Sequence, residues 1–264
     1  LTEEPEIAVG HGHMRREGIP VAAVEIAELE PAAVEHIDRI LLDQTIGQRA
    51  FAAARELLDL DRRPAESMLL VEFFDDADDR LADLDARRPG DRRLMLTDAA
   101  RQELVWGLRK AGLSLLTGRA GPAKATACIE DVCVRPDRLP DYVDGLRSIM
   151  APLGLEASYY GHAASGELHV RPVLDLHEVG DLEKLRHVAG EVSGLCREFK
   201  GSLSAEHGVG IARTEYLEEH LGPELTGASR RLKELFDPRG LMNPGKIVDS
   251  GRFTIAGDLR LGVG

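Results

Sequence analysis

Three histidines and one glutamate carry the strongest chemical signal in this chain. His162 and His169 stand seven residues apart, the first ending one strand-like run and the second beginning the next. A tight connection would place both imidazoles near one end of a hairpin, where they can ligate a divalent metal. Two solvated histidines at a strand end would leave the same trace. Glu206-His207-Gly208-Val209-Gly210 is the second feature. A Glu beside a His supplies a metal ligand and a base from one turn, and the glycines let backbone approach a ligand. A loop whose glycines start a helix is the plainer alternative, and spacing alone leaves both open. The Gly-Val-Gly triplet is too short for a dinucleotide fingerprint, and no P-loop, G-x-S-x-G or H-E-x-x-H motif occurs.

Arg109 and Lys124 form a third pair. A carboxylate substrate would want a bidentate Arg and a Lys point charge. The helix macrodipole alone would also place a cation such as Arg109 near a helix end. Asn243-Pro244-Gly245-Lys246, after Phe236-Asp237-Pro238, reads by itself as a helix stop and a turn. His11-Gly12-His13 reads as a surface loop near the terminus. Cys128, Cys133 and Cys196 fit neither a disulfide framework nor a zinc or iron–sulfur ligand set, and read as small core residues in a reducing compartment.

The elements that must position these groups are clearest in the second half. Thr126 to Val134 reads as a strand, Leu139 to Met150 as a helix with Gly154 at its C-cap, Leu155 to His162 as a strand and Ala163 to Gly166 as a turn. Leu168 to Leu174 is a further strand, Leu182 to Phe199 a helix, and Ser202 to Ser204 a short extended piece. Strand, helix, strand, strand, helix, strand is the split βαβ, or ferredoxin-like, order.

The first half offers a looser version: a strand at Ile19 to Ile26, helices at Pro31 to Leu42 and Ile46 to Leu58, and a strand at Met68 to Phe74. An acidic helix at Asp76 to Ala86, a strand at Leu94 to Leu96 and a helix at Asp98 to Leu113 follow. A last helix spans Pro223 to Phe236. The expected class is α+β: two ferredoxin-like units, an antiparallel sheet with helices on one face, and a C-terminal helical segment. The expected units are 1–124, with helical insertions, and 125–250, followed by a tail at 251–264.

Composition limits the rest. The chain has 264 residues, 43% apolar and 30% charged, which is too long and too apolar for disorder. Lys and Arg number 33 against 46 Asp and Glu, for a net charge of −13. That balance argues against nucleic acid and against a polybasic membrane surface. No apolar run approaches the roughly 20 residues of a spanning helix.

The features recur together in one known order. Gly161-His162-Ala163-Ala164-Ser165-Gly166-Glu167-Leu168-His169 resembles the G-H-x-x-x-G-x-L-H signature of FAD-linked 2-hydroxyacid dehydrogenases. Gly201 to Gly210 is similar to their E-H-G-x-G segment, and Phe236-Asp237-Pro238 through Asn243-Pro244-Gly245-Lys246-Ile247 to their F-D-P…N-P-G-K-I ending. The family is the vanillyl-alcohol-oxidase-like group, which includes D-lactate dehydrogenases, the glycolate oxidase flavin subunit and D-2-hydroxyglutarate dehydrogenases. The resemblance runs from about Arg101 to Ile247, and Ile129-Glu130-Asp131 and His169-Val170-Arg171-Pro172 look closest to its large bacterial members.

The resemblance implies the C-terminal substrate domain of such an enzyme, oxidising a D-2-hydroxy acid to the 2-oxo acid. It implies His162, His169 and Glu206 as ligands of a divalent metal such as zinc, and His207 as catalytic base. It further implies Arg109 and Lys124 at the substrate carboxylate and Asn243 close to the flavin. The FAD would be held mainly by a domain expected upstream in the same polypeptide, so that this chain alone is expected to be inactive. The implied electron acceptor is an iron–sulfur domain or subunit. The expected location is cytoplasmic, with a peripheral place at the inner membrane through electron-transfer partners. Many members carry Gly-Asp-Gly-Asn where this chain has Ala164-Ser165-Gly166-Glu167. Two other classes fit the residues: a metal-dependent hydrolase built on the His/Glu cluster, and a non-catalytic binding domain.

Overall fold

The apolar run from Met68 to Phe73 cannot face water on either side, and it forms the centre of the sheet in the first half. The computed structural model describes residues 6–12, 18–74, 76–87, 90–128, 130–248, 253–257 and 259. In it β3 (Ser67–Phe73) lies between β1 (Glu6–Gly12) and β2 (Ala33–Asp38), and β4 (Arg92–Leu96) pairs the outer edge of β1. The second half supplies β5 (Lys124–Ala125), β6 (Asp131–Cys133), β7 (Ala157–His162) and β8 (Glu167–Leu174). The strand order is β4-β1-β3-β2-β7-β8-β5, with β6 also on β8, and every pairing is antiparallel. β2 meets β7 at Glu35↔His162 and His36↔Gly161, so strands from residues 1–124 and 125–250 make one sheet. Cys133 bridges Ser202, which adds the extended piece after the long helix to the far edge.

Helices cover this sheet according to their apolar stripes. On one side pack α1 (Gly18–Ala27), α4 (Ala77–Arg87), α7 (Leu139–Met150) and α8 (Val179–Glu198). Tyr142, Val143, Leu146 and Met150 of α7 and Leu185, Val188, Ala189 and Val192 of α8 are buried there, against Leu168, Val170 and Leu174 of β8. Each large side chain so removed from water contributes about 1.5–3 kcal/mol, which outweighs any helix propensity. The helical insertions expected in the first half add a second layer on the other side. There α2 (Arg39–Gln44), α3 (Ala52–Leu57), α5 (Ala99–Lys110) and α6 (Gly112–Thr117) bury Leu41, Ala54, Val105, Leu108 and Leu115 against Ile7, Val9, Ile37, Met68 and Leu70. Helices on one face therefore describe the second half, and the first half carries them on both.

Several expected elements change type or boundary. Residues 19–26 form helix, not strand: Ala22, Ala23 and Ile26 fall on one buried side, which an extended chain would split between two faces. Residues 33–38 of the expected helix form β2, buried at Val34 to Ile37. The helical spacing of Val34, Ile37 and Leu41 arose from a strand running directly into α2. The junction is Asp38, whose Oδ1 accepts from the Leu41 N–H at 3.0 Å. The expected helix at 46–58 shrinks to a 3-10 turn and α3. Of the expected strand at 126–134, only Asp131–Cys133 is strand among the described residues, as β6, and β5 ends just before it. His11 and Gly12 lie in β1, opposite Met68 and Ser67, rather than in a loop, and His13 falls outside the described residues.

The last helix, α9 (Gly210–Phe236), begins well before Pro223 and is broken at Gly222 (φ 77°, ψ 166°). Proline at 223 then starts the second piece, as a residue without an N–H can. Cys128 and Cys196 lie in the core. No described helix is long and apolar enough to cross a membrane.

Candidate functional site

Side chains of a strand alternate between faces, so β8 divides cleanly. Leu168, Val170 and Leu174 enter the core under α7 and α8, and Glu167, His169 and Arg171 share the opposite face. Pairing fixes their neighbours. Tyr160 of β7 stands opposite His169, and continuing that register two residues sets His162 opposite Glu167. On the other side of β8, Asp131 stands opposite His169 and Cys133 opposite Glu167. Glu35 of β2 stands opposite His162.

Two glycines make the hairpin this tight. A Cβ on Gly161 would lie 2.8 Å from the Glu167 carbonyl oxygen, and one on Gly166 (φ 76°) would lie 1.9 Å from that of Val134.

Asp131 brings in the fourth contributor. Its carboxylate is fully buried. It accepts from the Ser204 hydroxyl at 2.9 Å, the Glu206 N–H at 3.2 Å and the His207 N–H at 2.9 Å. Burial opposes its charge, but these donors prevail and hold the carboxyl below its usual range. The loop after the long helix is thereby laid over the polar face. The Nε2 atoms of His169, His162 and His207 then lie 3.3, 3.5 and 3.5 Å from a single oxygen, Glu206 Oε1. The His169 and His207 rings stack, with centroids 4.8 Å apart and planes 13° from parallel.

The surroundings assign different tasks to these imidazoles. His162 Nδ1 bonds Glu35 Oε1 at 2.8 Å, and that bond raises its pKa. Burial, reinforced by His207, lowers His169 to about 4, so its ring is neutral and able to ligate. Burial and a hydrogen bond to Asp131 raise Glu167 to about 7. His207 Nδ1 lies 3.4 Å from Glu130 Oε1, and Glu130 is itself held by Arg213 at 2.9 Å.

Of the seven predicted positions, four converge. His162, His169, Glu206 and His207 come together. Arg109 reaches the edge of the cluster: its Nη2 lies 2.7 Å from Glu35 Oε2 as an ion pair, its guanidinium sits over the Tyr160 ring, and its buried Nε and Nη2 have no hydrogen-bond partner. Lys124 is not brought there. It pairs with Leu174, five residues along β8 from His169 and so about 16 Å away, and its Nζ donates to the Arg119 carbonyl. The seventh, Asn243, is exposed in a turn after α9 (φ 46°).

Sequence reasoning assigned no role to Glu35, Glu130, Asp131, Arg171 or Arg213. Arg171 was within reach, since it lies two residues beyond His169 on a strand; its Nε donates to the Tyr160 hydroxyl at 3.1 Å. Glu35 was concealed by the helical reading of its segment.

The donor set suits a divalent cation. Among the described residues, donor atoms lie within 4.8 Å of one another in two groups, Asp131, His169, Glu206 and His207, and His162, Glu167 and Glu206, so His162 and His169 belong to different groups that share Glu206. Within them His169 Nδ1 and Glu167 Oε1 are buried and lack hydrogen-bond partners. A cavity of about 310 Å³ lies on the opposite, helix-covered side of the sheet; His36, Asp38, Ser67 and Arg147 line it, and none of the cluster residues does.

A family model described as FAD linked oxidases, C-terminal domain, matches residues 19–247. D-2-hydroxyglutarate dehydrogenase of Pseudomonas putida is 30% identical over 232 residues, covering 83% of this chain and 23% of that protein. D-lactate dehydrogenase of Anaerostipes hadrus is 26% identical over 230 residues, covering 83% of this chain and 46% of that one. The chain therefore spans less than half the length of these two relatives. The solved structure of 4-ethylphenol oxidase from Gulosibacter chungangensis in an isoeugenol complex has a TM-score of 0.60. It is 14% identical and covers 94% of this chain and 54% of that one, a likeness of fold.

Proposed function

The chain belongs to the family of FAD-linked oxidase C-terminal domains, and on that premise we propose that it orients a D-2-hydroxy acid and takes its hydroxyl proton within a FAD-dependent dehydrogenase. The observation that carries this reading is the convergence of three imidazole Nε2 atoms on one carboxylate oxygen. His207 is the base. Glu130 faces its Nδ1 and so favours the proton there, which leaves Nε2 free to accept the hydroxyl proton. His162, His169 and Glu206 hold a divalent cation, for which zinc suits the donors, and which supplies Lewis acidity toward the substrate oxygens. Glu35 fixes the His162 ring through Nδ1, as partners of metal-bound imidazoles do. Arg109 acts through Glu35, and Lys124 lies outside the constellation.

A flavin bound beside this domain would supply the hydride acceptor for the carbinol carbon. Asn243 is the residue of this chain assigned to its neighbourhood, and a covering FAD-binding domain supplies the rest. An exposed apolar group at Leu232, Leu235, Phe236, Leu241 and Met242 supports such a covering partner. An iron–sulfur electron acceptor belongs to the proposal on the resemblance alone.

The test uses the full polypeptide that carries this chain. His207→Ala should abolish dye reduction with D-2-hydroxyglutarate, D-lactate and glycolate while flavin content stays unchanged. Near-normal turnover would remove the base assignment. Hydrolytic activity with metal and no flavin would replace the redox reading altogether.

A further inference from the structure

We propose that Glu167 is a direct fourth ligand of the cation assigned to His162, His169 and Glu206, making a site of two histidines and two carboxylates; this rests on the metal reading above. The position is fixed by register. Glu167 stands across β7 and β8 from His162 and two residues before His169 on the same face. One donor atom each from Glu167, His162 and Glu206 fall within 4.8 Å of one another.

The second observation is an unmet bonding requirement. Glu167 is only 6% exposed, yet its Oε1 has no hydrogen-bond partner. A buried carboxylate oxygen left so is costly, and native structures seldom tolerate it. His169 Nδ1, 3.8 Å away, is beyond hydrogen-bond range and equally unpartnered. The Glu167 carboxyl shares a hydrogen bond with Asp131, whose oxygens also receive Ser204 and the N–H groups of Glu206 and His207, and these contacts leave Glu167 Oε1 without a partner. A cation between His162, Glu206 and Glu167 satisfies the orphan oxygen. It also brings a second negative charge, which offsets the charge of a divalent ion.

Oxygen donors favour harder ions. A second carboxylate therefore raises Mn²⁺ affinity more than Zn²⁺ affinity, since imidazole already suits zinc. This gives a readout separate from turnover.

The whole chain is titrated with Mn²⁺ and Zn²⁺ by calorimetry, and its Co²⁺ form is followed by visible absorption. The variants are Glu167→Gln, which keeps shape and hydrogen bonding, Glu167→Ala and His162→Ala. The expected result is one cation per chain. Both Glu167 variants should lose Mn²⁺ affinity by at least about 100-fold, lose less for Zn²⁺, and change the Co²⁺ spectrum. Glu167→Gln within about threefold of wild type, with an unchanged Co²⁺ spectrum and binding lost in His162→Ala, would overturn the proposal and leave the three-residue site standing. Absence of binding in folded wild-type protein would overturn both. If neither Glu167 variant folds, the Co²⁺ wild type decides: labelled Glu167 side-chain carbons should be strongly shifted by the paramagnetic ion, and unshifted signals would refute ligation.

Discussion

Asp131→Ala tests whether one buried carboxylate holds the Glu206–His207 loop in place. Asp131 is fully buried, and its side chain receives the Ser204 hydroxyl and the N–H groups of Glu206 and His207. Hydrogen bonds to a charged group are worth about 1.5–3 kcal/mol each, and stranding a buried donor costs about 1–3 kcal/mol. The loop is half exposed, so water recovers part of this. The Ala205 N–H also keeps its bond to the Asp131 carbonyl at 2.9 Å. The lower end of each range then applies, and the loop should lose about 2–4 kcal/mol of local stability.

At 1.4 kcal/mol per factor of ten, amide exchange at Glu206 and His207 should accelerate by about 30- to 1000-fold, while amides of β3 keep a larger share of their protection. Asp131→Asn retains one acceptor oxygen and should fall between. Site-resolved hydrogen exchange measures all three proteins. Acceleration below about threefold at both amides would refute the claim that this carboxylate positions Glu206 and His207.

Gly166→Ala must place a Cβ 1.9 Å from the Val134 carbonyl oxygen at φ 76°. It should destabilise the chain by more than about 3 kcal/mol in urea unfolding, as clash adds to the left-handed penalty. Tyr142→Phe should leave stability unchanged or raise it by up to about 1 kcal/mol, because the Tyr142 hydroxyl is buried without a partner. Burial, with help from Arg109 and Arg147, lowers His36 to about 3 from 6.5. Between those values the unfolded chain binds the extra proton, so this group's contribution is full above pH 6.5 and is lost as pH falls toward 3, by up to about 1.4 kcal/mol per pH unit. Burial raises Asp38 to about 6 from 3.8, which acts in the opposite sense between those values. His36→Gln should therefore show a flatter loss, or a gain, of stability on acidification from pH 6 to 4; an acid slope equal to wild type would exclude the buried neutral imidazole.

The second half was legible because its local signals agree with its packing. Leu182 to Phe199 carries a long apolar stripe, and α8 buries it. Leu168 to Leu174 is short, begins with apolar and polar residues in alternation and follows turn residues, and it pairs within β8. The first half was not, because identity there is set by neighbours. Residues 33–38 have a helix-compatible pattern and become a strand only by pairing with β3 on one side and β7 on the other. The β-branched residues Ile19, Val21, Val24 and Ile26 suit a strand by composition, yet the segment is helical because the core takes Ala22, Ala23 and Ile26 from one side of it.

The site divides along the same line. Sequence by itself determined the reactive groups: the histidines at 162 and 169, the Glu206-His207 pair and the glycines between which they turn. It also determined the period of two that puts His169 and Arg171 on one face. Only the tertiary structure decided that His162, His169 and His207 meet at one oxygen, because that depends on strand register and on Asp131 gripping a loop 75 residues away in the chain. It likewise decided that Arg109 of α5 lies against Glu35 of β2, since the two groups come from distant segments and meet only when α5 packs on the sheet. Composition and spacing record which donors exist. Register and burial decide which of them are left unpaired, and an unpaired buried donor or acceptor is what a ligand can use.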